Sequence, residues 1–352
     1  MPEANIKKVN DWGQDSTSYI YENPKGKIKL TEQPTFSTHR SGWAYAINAL
    51  SSIHNSAGVN FYGFLENEFY WQKQNTILPF QNSWVGFLHN PQNYPWWFGP
   101  KGLPEVIINS WEFQDSLEYC KGLYTLTEHH ASFLRETLNV PVNVLYHPSE
   151  IPEKQFSFDA FMKNAQKRIL NVGYWLRKVN SIYYLPIDNN IYTKTKLLPY
   201  KEGSDPHKFV NNLRQKELDF EHQTALEYNY YYSESIGYVE ELFGLSNDEY
   251  DDIFCDNIIF LDMYTCSASN SIIESIARAT PILVNPIPPA IEYLGAEYPF
   301  YFRSVEEAID KAFNMELIRQ AHEYLKTCEM RKKLTGEYFL EDFQETEIYK
   351  SI

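Results

Sequence analysis

Apolar positions along the chain fall into two recurring patterns: short continuous runs, and longer stretches in which they recur every three or four residues. The first pattern marks buried strands and the second amphipathic helices. Residues 27–36 (KIKLTEQPTF) read as a first strand, followed by the loop Ser37-Thr-His-Arg-Ser41-Gly42. Trp43, Ala46, Ile47, Leu50 and Ile53 then keep helical spacing, so a strand, a small-residue loop and a helix stand in succession. Further strands are expected at 60–65, 83–88, 122–126 and 142–146. Helical patterns cover 103–119 and, capped by Thr127, the run HHASFLRETL.

Between 147 and 167 the chain turns polar and Pro-containing (HPSEIPEKQFSFDAFMKNAQK), which reads as a domain boundary. A second alternating set follows, with strands at 168–172 and 194–198, a long polar helix over 207–230 and a short one over 246–254. The stretch 257–295 (NIIFLDMYTCSASNSIIESIARATPILVNPIPPAIEYLG) then gives a strand, a Ser/Ala/Asn loop, a helix, an apolar strand and a Pro-rich turn. A short strand is expected at 300–302, Ser304-Val-Glu-Glu307 has the capping-box pattern, and a helical tail follows with a break near Gly336. Regular alternation of strand and helix predicts an α/β protein with parallel sheets covered by helices on both faces. The expected division is 1–160, 161–335, and a terminal helical segment, 336–352, that crosses back to the first domain.

Composition narrows the partners. The formal charge is −15, from 31 basic and 46 acidic residues, which argues against a polynucleotide substrate because displacing phosphate counterions needs a basic face. No polybasic amphipathic helix and no long apolar segment occurs, so neither lipid docking nor membrane insertion is expected. Four widely separated cysteines, Cys120, Cys255, Cys266 and Cys328, form no Cys-x-x-Cys pair, and the N-terminal residues have no signal-peptide core. These features point to a reduced cytoplasmic protein. Aromatic content of 16% serves either core filling or a planar-ligand site.

In a parallel sheet a ligand sits where strand ends run into helices, which directs attention to 257–295. There Glu274 is a carboxylate able to accept two ribose hydroxyls, although Ser271-Ile-Ile-Glu274 also has the capping-box pattern. The helix start near Ser269, Asn270 and Ser271 would offer free backbone N–H groups to phosphate. Arg177 and Lys178 follow a strand and Gly173, where they could meet an anionic ligand or simply be solvated. His89 ends a strand in GFLHNP, as a base, a hydrogen-bonding partner of a ligand, or a structural imidazole. His147 also follows a strand end, whereas His129 and His130, in a first helical turn, read as surface residues. Trp96 and Trp97, with Tyr94, form either a stacking platform for a ligand or a buried loop anchor. No Asp-x-Asp occurs in a metal-site context, so no metal is expected.

The run Ser269-Asn-Ser-Ile-Ile-Glu274-Ser-Ile-Ala-Arg-Ala-Thr280-Pro281-Ile-Leu-Val resembles the donor-binding region of GT-B glycosyltransferases, particularly the retaining family-four type. More weakly, the resemblance takes in RILNVGYWLRK as the opening of the donor domain and the Ser41-Gly42 loop as part of the acceptor-side domain. It implies two Rossmann-like domains facing across a cleft. It also implies metal-independent transfer of a sugar from a nucleotide diphosphate, a UDP-sugar favoured, to an acceptor hydroxyl. In that reading Glu274 takes ribose, Arg177, Lys178, Gly173, Ser269, Asn270 and Ser271 the diphosphate side, and Glu292 the donor sugar, or else Glu292 caps a helix. Ser41, Gly42, Trp96 and Trp97 would face the acceptor. One departure stands out: the family's Glu-x7-Glu pattern would place its first Glu at Cys266. Alternatives are a non-catalytic nucleotide- or glycan-binding protein on this scaffold, and a nucleotide-sugar epimerase.

Overall fold

The computed structural model describes residues 3–6, 18–30, 37–38, 41–187, 190–198, 200, 202–228 and 238–352. Parts of three expected elements, 31–36, 39–40 and 229–230, lie outside the described residues. Two five-stranded sheets dominate. The first runs in chain order: β1 (Ile28–Leu30), β2 (Val59–Tyr62), β3 (Trp84–Phe87), β4 (Cys120–Thr125) and β5 (Val142–Val144), every neighbouring pair parallel. The second comprises β6 (Arg168–Val172), β7 (Thr193–Leu198), β8 (Glu240–Phe243), β9 (Ile258–Leu261) and β10 (Ile282–Val284). Its spatial order is β8-β7-β6-β9-β10, again all parallel. The direction of growth reverses between β6 and β9, and that reversal is the point where loops from neighbouring strands part to leave a crevice.

These strands form where the apolar runs demanded burial. All four residues of β9 are buried, as expected for a central strand covered on both faces. β8 went unforeseen because Glu240-Glu-Leu-Phe243 is half polar and lies at a sheet edge. The strand expected at 300–302 reduces to a single bridge between Tyr301 and Val284. Helices named below are α1 (Trp43–Leu50), α2 (Glu128–Thr137), α3 (Asp205–Tyr228), α4 (Asn247–Cys255), α5 (Asn270–Arg278), α6 (Pro288–Leu294) and α7 (Gly336–Glu345). Thr127 caps α2, its side chain accepting from His130 N–H, and Ser246 with Glu249 completes a capping box on α4. At Ser304 only half of the expected box forms, since Glu307 accepts instead from Arg303 N–H, 2.8 Å away.

Each sheet carries its own core. Ile169, Leu170, Phe260, Ile272, Ile276 and Leu283 pack within the second. Trp43, Ile47, Phe61 and Phe87 pack with Phe339 and Phe343 of α7 in the first. The sheets meet through α6, whose Tyr293 hydroxyl donates to Leu126 O (2.9 Å) and accepts from His147 N–H (3.2 Å).

α5 is held in place by charge as well as by packing. Arg278, fully buried, donates from Nε and Nη2 to Asp251 Oδ1 of α4 at 2.9 and 2.5 Å. A pair taken this far from water is destabilising chiefly when one member is removed. Asp251→Ala is therefore expected to cost about 3–5 kcal/mol in denaturant unfolding. A loss below about 1 kcal/mol would contradict this account of how α5 is anchored.

Candidate functional site

A cavity of about 670 Å³ opens between the sheets, at the carboxyl ends of β6 and β9. Its floor is built by two turns that leave those strands. After β6 the chain turns at Gly173, whose φ of 76° is one that residues with a Cβ rarely adopt. A Cβ there would also meet Arg177 Cζ at 3.2 Å, so the glycine both makes the turn and lets the guanidinium fold over it. Arg177, 9% exposed, donates from Nη1 to Trp175 O (2.7 Å) and from Nη2 to Ser269 Oγ (3.3 Å) and Ser271 Oγ (3.0 Å). Among the described residues its Nε has no partner and no carboxylate pairs with it. Burial pushes its pKa down, while nearby Cys266, Tyr250 and Glu274 act in the opposite sense.

The turn after β9 leads to the start of α5. Ser269, the N-cap residue, leaves the helix amides uncapped because its hydroxyl accepts from Arg177 instead. Ser269, Asn270 and Ser271 line the cavity, so free N–H groups and the positive end of the helix dipole stand beside a buried cation. Ser271 and Glu274 both lie inside α5, so the capping-box pattern in the sequence is not used as a cap. Glu274, 3% exposed, accepts from the Tyr250 hydroxyl (2.5 Å) and from the Ser41 hydroxyl of the opposite domain. Burial, with Glu274 adding to it, pushes the Tyr250 phenol up. Cys266 also lines the cavity, and its thiol is pushed up to about 12 by burial, so it is neutral.

The facing wall comes from the first domain. Gly42, Trp43, His89 and His147 line it. His89 Nε2 lies 2.8 Å from Gly63 O, and His147 Nδ1 lies 2.8 Å from Pro148 O. Each of those nitrogens must carry the proton, leaving the other as an acceptor. Burial pushes His89 down to about 3 and His147 to about 4, so both rings are neutral.

Gly42, His89, Gly173, Arg177, Ser269, Asn270, Ser271 and Glu274 thus surround one cavity, and Ser41 reaches it through Glu274. Lys178, Glu292, Trp96 and Trp97 do not line it. Lys178 Nζ pairs with Asp262 at 3.0 Å. Glu292 accepts from the N–H groups of Glu128 (2.6 Å) and His129 (3.3 Å), capping α2 from across the domains. Trp97 is buried between Phe220 and Tyr264, with ring centroids 4.7 and 5.6 Å away, while Trp96 is exposed on it. His130, expected at the surface, is fully buried because α2 turns its first residues toward Ser267. Tyr250, Trp71 and Trp175 escaped notice in the sequence, although Trp175 stands within the VGYWLRK segment.

Two parallel α/β domains with a ligand cavity at the switch point constitute the GT-B architecture. Solved structures with this fold include a trehalose-6-phosphate synthase, OtsA, at 12% identity and TM-score 0.54, covering 88% of this chain and 76% of that one. An alpha,alpha-trehalose-phosphate synthase (UDP-forming) from Burkholderia vietnamiensis gives 9%, 0.54, 88% and 78%. An E. coli trehalose-6-phosphate structure bound with UDP-2-fluoro glucose gives 12%, 0.53, 88% and 77%. At these identities the likeness establishes the fold. No protein-family model matches the chain, and no curated protein matches it by sequence.

The loop carrying His89 rests on a carboxylate that sequence reading passed over. Glu66, fully buried, accepts on Oε1 from His89 N–H (2.7 Å) and Asn90 N–H (2.5 Å). Burial raises it from an ordinary value of 4.5 to about 7, against the pull of those amides. Between these pH values the folded state keeps a proton that the unfolded chain releases, so stability from this group is full below pH 4.5 and lost as pH rises to 7. The loss is expected to be about 3 kcal/mol. Glu66→Gln, which keeps the acceptor oxygen, should remove that part of the slope in denaturant unfolding compared at pH 4.5 and 7.5. An equal slope in variant and wild type would contradict it.

Proposed function

We propose that the protein is a glycosyltransferase that moves a sugar from a nucleotide diphosphate, a UDP-sugar foremost, to an acceptor hydroxyl in the cleft. The observation that carries this reading is the anion seat: a buried arginine without a carboxylate partner among the described residues, set against the uncapped start of α5. Burying a cation unpaired is costly, and a diphosphate placed there would supply the missing charge. The presence of UDP-2-fluoro glucose in the E. coli structure of like fold, and the UDP-forming description of the Burkholderia vietnamiensis protein, favour a uridine nucleotide.

In this reading residues 161–335 bind the donor, residues 1–160 face the acceptor, and 336–352 return to the first domain. The bond from the sugar's anomeric carbon to the diphosphate breaks and one to the acceptor oxygen forms. Arg177 and the N–H groups of Asn270 and Ser271 take up charge developing on the departing diphosphate, so no metal is required. Glu274 receives ribose hydroxyls in place of Ser41. His89, at about 3, holds a proton too weakly to serve as a base near neutrality, and instead accepts a hydrogen bond from a sugar hydroxyl. Glu292 and Lys178 act through domain contact and turn structure. A second reading, a non-catalytic nucleotide-binding protein, draws on Cys266, a neutral thiol where the resemblance calls for a carboxylate.

Calorimetric titration distinguishes these claims from a fold without the chemistry. UDP is expected to bind much more tightly than uridine, and Arg177→Ala to weaken UDP about 10–100-fold, the worth of charge-assisted hydrogen bonds. Equal binding of UDP by the variant would remove the basis of the proposal. UDP release from a UDP-sugar should persist in EDTA, and complete loss there would sink the metal-free reading.

A further inference from the structure

The part of the cavity wall supplied by residues 64–72 has its own chemistry. Asn67–Trp71 forms a π-helical turn, with Gln72 N–H donating to Asn67 O at 2.8 Å. Such wide turns are rare and recur at functional sites because they redirect side chains. This one sets Asn67, Trp71 and Gln72 on the cavity wall. Trp71 lies 5.4 Å from Phe64 and 6.3 Å, edge to face, from Trp175 of the other domain, while Phe64 stacks on His89 at 4.1 Å. Phe64, Trp71 and Trp175 are each half-buried, so ring surface remains for a ligand. Asn67 commits Nδ2 to Glu68 and Gln72 commits Oε1 to Asn75, which leaves an acceptor on one amide and a donor on the other.

Charge is placed elsewhere. Among the described residues Arg177 and Glu274 are the only cation and the only carboxylate on the cavity wall. Arg177 is tied to Trp175 O on the side of the anion seat, so an acceptor phosphate would compete with the donor diphosphate for one guanidinium. We propose that the corner of Phe64, Trp71 and Trp175 is the acceptor subsite, and that it takes an uncharged ring-bearing alcohol whose flat face stacks on Trp71. This rests on the glycosyltransferase reading for the term acceptor, but the binding it predicts is measurable without turnover.

The test is calorimetric titration of the full chain with methyl β-D-glucopyranoside, phenol, phenyl β-D-glucopyranoside and glucose 6-phosphate. At least one uncharged probe is expected to bind more tightly than glucose 6-phosphate, and Trp71→Ala to weaken it about tenfold, as for an aromatic anchor. The methyl glycoside and phenol arms tell whether the stacked face is a pyranose or an aryl ring. Trp71→Phe should restore most of the affinity, which a general loss of folding would not allow. Tighter binding of glucose 6-phosphate, no binding of any uncharged probe, or unchanged affinity in Trp71→Ala would overturn the proposal. UDP titrated into the same samples reports separately on the donor seat, so failure of that reading and of this one are told apart.

Discussion

A guanidinium buried with no carboxylate in ion-pair contact among the described residues is the constraint on which the site depends. Taking a cation out of water costs several kcal/mol unless hydrogen bonds and an opposite charge compensate. Arg177 has hydrogen bonds to Trp175 O, Ser269 and Ser271, but its Nε has no partner among the described residues. Every neighbour serves that placement. Gly173 clears the space, the strand order of the second sheet brings the β6 and β9 turns together, and the Ser269 hydroxyl is diverted from capping α5. The same diversion leaves the start of α5 without a side-chain cap, so cation and helix start stand together, and the proposed anion seat rests on that juxtaposition.

The opposite domain is joined to this seat by polar contacts as well as by an apolar cluster in which Tyr94, Trp97 and Phe98 pack with Leu176, Val179 and Leu213. Glu274 holds the Ser41 hydroxyl, and Glu292 holds the first amides of α2. Each of these carboxylates belongs to the second sheet's half of the molecule and reaches into the first. On the proposed reading, a ribose at Glu274 would replace a contact between domains, which would couple ligand binding to their relative position.

Much of the fold was legible because buried strands in parallel sheets are apolar on both faces, as in Ile258–Leu261 and Ile282–Val284. Glu240–Phe243 was not, since an edge strand can be half polar. At the site, Arg177, Gly173, Ser269 and Glu274 could be read from the strand–turn–helix order together with the family resemblance of residues 168–178 and 269–284. Trp71 and Glu66 could not. Trp71 is carried by a π-helical turn, which has no periodic signature in an aromatic stretch, and Glu66 acts from a position sealed from solvent. Aromatic composition drew attention to Trp96 and Trp97, but only the fold shows that Trp97 packs on Phe220 and Tyr264 while Trp71 and Trp175 face the cavity.

Hydrogen–deuterium exchange in the presence and absence of UDP addresses the anion seat most directly. Amide protection confined to the turn after β6, residues 173–178, and to 266–274 at the start of α5 is the predicted result. Protection elsewhere with none in these two segments would contradict the account.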